Sequence, residues 1–347
     1  METTTFKIID SYAEGSYSIV YRAKQIPAGN LVAVKRCREI NKREKPIKER
    51  VERELKILCI LEHENVISVI PNKEPIIILD APSNIEINVN SLVFPFCPYT
   101  LGYLLKNYKL NSLQQKSCIW MILSGIAYIH EHGIIHRDLS SKNVLITKDG
   151  IIKISDLGNA WVESICDDEV VGEMKHDIGT RCYRAPELLL SCHNYDYSVD
   201  LWSTGCIIAE FFTKPIGSIL FNGESDIEQL IKIFRVFGVP TLKNWPEMKD
   251  FHDYGKVNFI HQSVEGLTNK QLPNANSKET IEFIKKYLKY PKKERLTANK
   301  NIYLLRLSSF VAGTILEHCC WCKLLAEVEG LIYSFESEEF SEDNDSH

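Results

Sequence analysis

The period of the hydrophobic positions changes along the chain. Residues 6 to 96 alternate as strands do, in runs such as Ile19-Val20-Tyr21, Leu31-Val32-Ala33-Val34 and Leu92-Val93-Phe94. One charged stretch, from about Lys45 to Leu61, interrupts them, and its Val51, Leu55 and Leu58 are spaced for one helix face. From residue 99 the period becomes helical. Leu113 to His132 carries Ile119, Ile122, Leu123, Ile126 and Ile129, which predicts a buried helix, and Trp202 to Phe212 and Ile227 to Phe237 predict two more. Two short strand-like runs, Val144-Leu145-Ile146 and Ile151 to Ile154, flank the turn Lys148-Asp149-Gly150. There are no internal repeats. The pattern predicts an α+β, bilobal architecture: a small β-rich lobe with one helix, a larger helical lobe, and a cleft between them.

Composition narrows the class without naming it. A chain of 347 residues can hold two domains with real cores. Its 44% hydrophobic and 25% charged residues are ordinary globular usage. A net charge of -5 gives no reason to expect a nucleic-acid partner. The opening METTTFKIID is polar and acidic where a secretory leader needs an apolar core, and no apolar run is long enough to span a bilayer. The eleven cysteines are scattered and odd in number, so reduced thiols in the nucleus or cytoplasm are the simplest expectation.

The candidate chemistry lies around the short strand pair. Asp156, in Ile154-Ser155-Asp156-Leu157-Gly158, and Asn143, in Lys142-Asn143-Val144, would stand on neighbouring turns of one hairpin. A carboxylate and an amide oxygen so placed supply hard ligands for Mg2+. Asp138, in His136-Arg137-Asp138-Leu139, precedes Asn143 by five residues and can accept or orient a hydroxyl proton. Alone, Asp-Leu-Gly is a turn and Asp138 a turn cap. The joint spacing decides: His-Arg-Asp, an Asn five residues on, Asp-x-Gly thirteen beyond that, then Ala185-Pro186-Glu187.

With these motifs the chain resembles a eukaryotic protein kinase. It is most similar to the cyclin-dependent kinase branch, through GTRCYRAPELLL, YSVDLWSTGCIIAEFF, LFNGESDIEQLIKIFRVFGVPTLKNWPEM, LVFPF and RELKILCILEHENVI. The resemblance implies ATP as phosphate donor with Mg2+, protein substrates, and serine or threonine as acceptor. It places Lys35 on the α- and β-phosphates, Glu54 as its helix partner and Asp138 as the catalytic aspartate. Asn143 and Asp156 become the metal ligands. Val20, Ala33 and Leu145 would sandwich the adenine with Phe94 as gatekeeper, and Tyr12, Gly15, Phe96 and Cys97 would complete the nucleotide site. Thr180 and Arg184 belong to the substrate-facing activation segment. Asp200, and Arg295 paired with Glu187, are implied to be scaffold.

Several positions depart from the family pattern. The glycine-rich loop keeps only Gly15, in Ala13-Glu14-Gly15-Ser16-Tyr17-Ser18. Ser16 and Tyr17 match an inhibitory phosphorylation pair, or they only shape the loop tip. Ser140 stands where serine/threonine kinases usually carry lysine, and Lys142 either substitutes for it or is simply exposed. No hydroxyl lies near Met174-Lys175-His176, where the branch carries its activating threonine. Two of the arginines that would clamp that phosphate are present, Arg53 and Arg137, and Trp161 holds the third position. Asp167, Asp168, Glu169 and Glu173 offer carboxylates to the two arginines, or form a solvated acidic loop. These losses are similar to those in single-subunit kinases that activate cyclin-dependent kinases. The charged Lys45-Pro46-Ile47-Lys48-Glu49-Arg50-Val51 argues against an obligate cyclin.

The organisation expected is a kinase domain over 6–306, with its lobes at about 6–96 and 97–306. A helical extension over 307–333 and an acidic, solvated tail from Ser334 to His347 follow. His318-Cys319-Cys320-Trp321-Cys322 lacks the second half-site of a structural zinc and reads as cysteines packed on an apolar helix. The rival classes are a catalytically impaired scaffold of the same fold, and a cyclin-bound, proline-directed kinase.

Overall fold

The computed structural model of the chain describes residues 5–15, 18–37, 45–70, 77–80, 85–86, 91–166, 169–260 and 264–297. Ser16, Tyr17, Asp167, Asp168, the 307–333 extension with its cysteine cluster, and the acidic tail lie outside these residues.

The first lobe is built on a six-stranded sheet. Its strands are β1 (Thr5–Glu14), β2 (Ser18–Ile26), β3 (Leu31–Cys37), β4 (Ile77–Asp80), β5 (Ile85–Glu86) and β6 (Ser91–Pro95), in the order β5-β4-β1-β2-β3-β6. The alternation seen in the sequence selects one face: Phe6, Ile8, Ala23, Val32, Val34 and Val93 are buried together as a small core. The other face of β3 then carries Ala33 and Lys35, because successive side chains point to opposite faces.

The helix α1 (Lys45–Ile60) follows β3. Its buried side chains are Val51, Glu54, Ile57 and Leu58, with Leu61 just beyond. Leu55, grouped by spacing with Val51 and Leu58, is instead 38% exposed. Helical geometry explains the correction: Leu55 sits 100° round from Glu54, and the inward face is the one that carries Glu54.

The second lobe opens with β7 (Tyr99–Thr100), α2 (Leu101–Asn107) and α3 (Ser112–Glu131). Asn111 caps α3, accepting from the amides of Leu113 and Gln114 while the Gln114 side chain accepts from the Asn111 amide. Ile119, Ile122, Leu123, Ile126 and Ile129 are all buried, as the period predicts. The strands β8 (Val144–Ile146) and β9 (Ile152–Ile154) pair antiparallel and join β7 in a three-stranded sheet. The remaining helices are α4 (Pro186–Leu189), α5 (Ser198–Glu210), α6 (Asp226–Phe237) and α7 (Lys278–Lys285). Every residue of α5 is buried, so it forms the axis of this lobe. Among the described residues no helix is long and apolar enough to cross a membrane.

Candidate active site

The register of the first sheet sets the roof of the cleft. Val20 pairs with Lys35, and Ala33 with Phe94. Phe94 is buried at the back, and Leu145 on β8 is half-buried on the facing lobe. The Cys97 thiol is buried next to the linker between the lobes, and burial pushes it up to about 11, so it is neutral at ordinary pH. Tyr12 spans the outer edge: its hydroxyl donates to the Pro98 carbonyl and its ring meets Phe96 edge-on, with centroids 5.0 Å apart. At Gly15 the amide donates to the Ser18 carbonyl at 2.8 Å, which closes the turn joining β1 to β2.

Lys35 is the charged centre of the cleft. Its ammonium donates to Glu54 Oε1 at 2.7 Å, to Glu54 Oε2 at 2.8 Å and to Asp156 Oδ1 at 2.8 Å. Burial alone would strip its proton, but the two carboxylates outweigh that and hold its pKa above the usual lysine value. Residues from β3, α1 and the turn after β9 therefore meet at one point, as the sequence motifs implied.

The hairpin β8–β9 aligns the two candidate metal ligands. Asn143 precedes β8 and Asp156 follows β9, and the Ser155 amide and hydroxyl both donate to the Asn143 carbonyl at 2.9 Å. The Asn143 amide nitrogen donates to the Asp138 carbonyl at 2.8 Å, which leaves its oxygen as the ligating atom. An amide oxygen beside a carboxylate fits a small hard cation that keeps phosphate and water as its other ligands.

Asp138 is held on both oxygens. Oδ1 accepts the Thr180 hydroxyl at 2.7 Å and the Thr180 amide at 2.9 Å, and Oδ2 accepts the Asn159 side chain at 3.0 Å. Sequence reasoning missed Asn159; the only sign was a polar residue directly after Asp-Leu-Gly. The loop beneath is fixed from α5. Asp200 accepts the amides of His136 and Arg137, both at 2.8 Å, and the His130 ring at 2.9 Å. Burial acts to raise the Asp200 pKa, but the His130 and His136 interactions outweigh it and keep the carboxyl below its usual value. Those two amide bonds hold Arg137 in the left-handed region, at φ 63°. Ser140 is fully buried, so it faces the loop's own packing, and Lys142 is exposed.

The activation segment carries its own geometry. Gly179 has φ +75°, and a Cβ there would lie 2.2 Å from the Arg137 carbonyl oxygen, so only glycine fits. The Gly179 carbonyl accepts from Arg184 Nη2 at 3.0 Å. Arg184 also pairs with Asp177 at 2.8 Å. The expected pair of Glu187 with Arg295 is present at 2.5 and 2.7 Å, and the Arg295 guanidinium lies 5.2 Å from the Trp202 ring centroid. Below it Tyr183 donates to Glu210 at 2.7 Å and meets the Ser141 hydroxyl at 3.0 Å. Burial pushes the Glu210 carboxyl up to about 7, against hydrogen bonds from Tyr183 and Ser141 that act to lower it.

Of the two offered carboxylates among the described residues, Glu169 reaches the arginines and Glu173 is exposed. Trp161, at the third arginine position, donates its indole N–H to the Glu169 carbonyl at 3.0 Å.

Comparison with known proteins gives the same outline. The model of the protein kinase domain matches residues 6–303. Cyclin-dependent kinase 20 of Danio rerio is 35% identical over 301 residues, covering 85% of this chain and 81% of the relative. Its counterpart in Homo sapiens is 33% identical over 299 residues, covering 84% and 80%. Among solved structures, a chain of the yeast RNA Pol II CTD kinase CTDK-1 complex aligns with a TM-score of 0.71 at 27% identity, covering 86% of this chain and 90% of that one.

Proposed function

The chain belongs to the protein kinase family, in its cyclin-dependent kinase branch, and from that premise we propose that its substrates include the activation-segment threonines of other cyclin-dependent kinases. As a serine/threonine kinase it takes ATP as phosphate donor. Lys35, fixed by Glu54 and Asp156, grips the phosphates. Asn143 and Asp156 would hold magnesium. The bound ion would neutralise the phosphate oxygens and set their orientation. Asp138 accepts the proton of the incoming hydroxyl, and Thr180 and Asn159 keep its carboxylate aimed.

One observation carries the substrate assignment. The segment reaches its closed geometry, with Thr180 on Asp138, although residues 169–179 contain no serine, threonine or tyrosine. A kinase whose loop needs no modification there is suited to act first in a phosphorylation relay. The test offers it a cyclin-dependent kinase and the same protein lacking its activation-segment threonine. Transfer to the first alone supports the assignment, and equal labelling of both removes it. The eight free cysteines among the described residues support a reducing setting, nucleus or cytoplasm.

A second reading is favoured by Gly179. Its carbonyl is committed to Arg184, so an N–H on the substrate residue after the acceptor finds no partner there. Proline has no such N–H, and Thr-Pro acceptors would lose nothing. Paired peptides with Thr-Pro and Thr-Ala separate the two readings. A cyclin is a further candidate partner, because Leu55 and Ile60 leave apolar surface on α1. Co-purification from cells tests it.

A further inference from the structure

Arg137 has a side chain with no solvent exposure, and it lies beside the catalytic Asp138. A guanidinium so deep requires an anion. Glu169 supplies it in a forked pair: Arg137 Nη1 to Oε2 at 2.6 Å and Nη2 to Oε1 at 3.2 Å. Two further donors of Arg137 go to the Asn159 carbonyl, from Nε at 2.7 Å, and to the Tyr195 hydroxyl, from Nη1 at 3.2 Å.

The same carboxylate has other cationic and N–H neighbours. The Lys175 amide donates to Oε2 at 3.0 Å, and the Lys175 ammonium stands 3.3 Å from Oε1. Arg53 Nη1 is 3.8 Å from Oε1. Glu169 itself is buried, and burial, which acts to raise its pKa, loses to Arg137 and Lys175, so it stays ionised. These partners come from three elements. Arg53 adjoins Glu54 on α1, Arg137 adjoins Asp138 on the catalytic loop, and Lys175 lies five residues before Thr180 in the activation segment. One side chain thus ties together the supports of Lys35, of the base and of the substrate platform.

We propose that Glu169 is the positioning residue of the working conformation: its carboxylate permanently occupies the anion site between Arg137, Arg53 and Lys175, so the segment needs no added phosphate. The proposal rests on the chain being an active kinase and is independent of which protein it phosphorylates. Glutamine keeps the size of the side chain but removes the charge. Alanine empties the site and exposes Arg137 to small anions from solution.

The experiment uses the full chain made in bacteria and treated with phosphatase, with ATP and histone as a general acceptor. Wild type is expected to keep its rate after phosphatase. Glu169→Gln is expected to lose about tenfold or more in kcat with the KM for ATP within about twofold, since the anion site does not touch the nucleotide. Glu169→Asp should keep most of the rate. Added sulfate should raise the rate of Glu169→Ala about threefold or more and leave wild type unchanged, a response that a merely structural role would not give. Hydrogen exchange at the amides of Lys175 and Thr180 should quicken in Glu169→Gln, which reads positioning without turnover. Full activity in Glu169→Gln, or wild-type activity lost on phosphatase treatment, would overturn the proposal. Inert wild type with quickened exchange in the variant would overturn the kinase premise and leave the positioning role standing.

Discussion

Thr180 gives both its hydroxyl and its backbone amide to a single oxygen of Asp138, at 2.7 and 2.9 Å. The backbone bond survives substitution by alanine, so Thr180→Ala isolates the hydroxyl. A hydrogen bond to a charged group contributes about 1.5–3 kcal/mol, roughly a ten- to hundredfold change in rate. The expected outcome is a fall in kcat of that size with little change in melting temperature, and recovery in Thr180→Ser. Unchanged turnover in the alanine variant would remove the hydroxyl from the mechanism.

Asp138→Asn keeps the shape of the side chain and removes its basicity. Loss of a positioned base costs about 10²–10⁴ in rate. The variant should bind ATP as wild type does and should fail in phosphate transfer. Transfer by folded wild type no higher than that of this variant would restore the scaffold reading, in which the cleft is a relic.

Much of this was legible in advance because the family's chemistry is written in contiguous motifs. Lys35, Glu54, Asp138, Asn143 and Asp156 stand where their motifs place them, and the strand and helix periods gave the two lobes. Contacts that depend on long-range folding were harder to see. Asn159 aims at Asp138 only because the turn after β9 folds back over the catalytic loop. Glu169 was one of four acidic residues offered by the sequence, and the path of the segment is what brings it onto Arg137. Leu55 fitted an apolar spacing, but a buried ion pair at Glu54 set which side of α1 faces inward.

Glu210 makes stability depend on pH. Its carboxyl titrates near 7 when folded, against an ordinary value of 4.5. Between those two values the folded state binds more protons than the unfolded, so stability falls as pH rises from 4.5 to 7 and levels off above. The penalty at high pH is about 3 kcal/mol. Glu210→Gln keeps an acceptor for Tyr183 without the charge. It should melt higher than wild type at pH 8 and show a flatter stability profile from pH 5 to pH 8 in urea titrations. Parallel profiles would assign the dependence elsewhere.

Arg295 and Glu187 form a buried pair with no exposed edge on the arginine. Removing one partner leaves an uncompensated charge and costs about 3–5 kcal/mol. Arg295→Met and Glu187→Gln should each lower the unfolding free energy read from urea titrations by that amount, and the double variant should lose clearly less than their sum. Simple additivity would show that the two side chains act separately.

Asp200 belongs to the helix at the axis of the second lobe, yet it dictates the backbone of the loop that carries the base. The floor of the cleft is therefore set when the protein folds and owes nothing to its cargo. Nucleotide would meet a surface whose shape is inherited from the packing of the helical lobe.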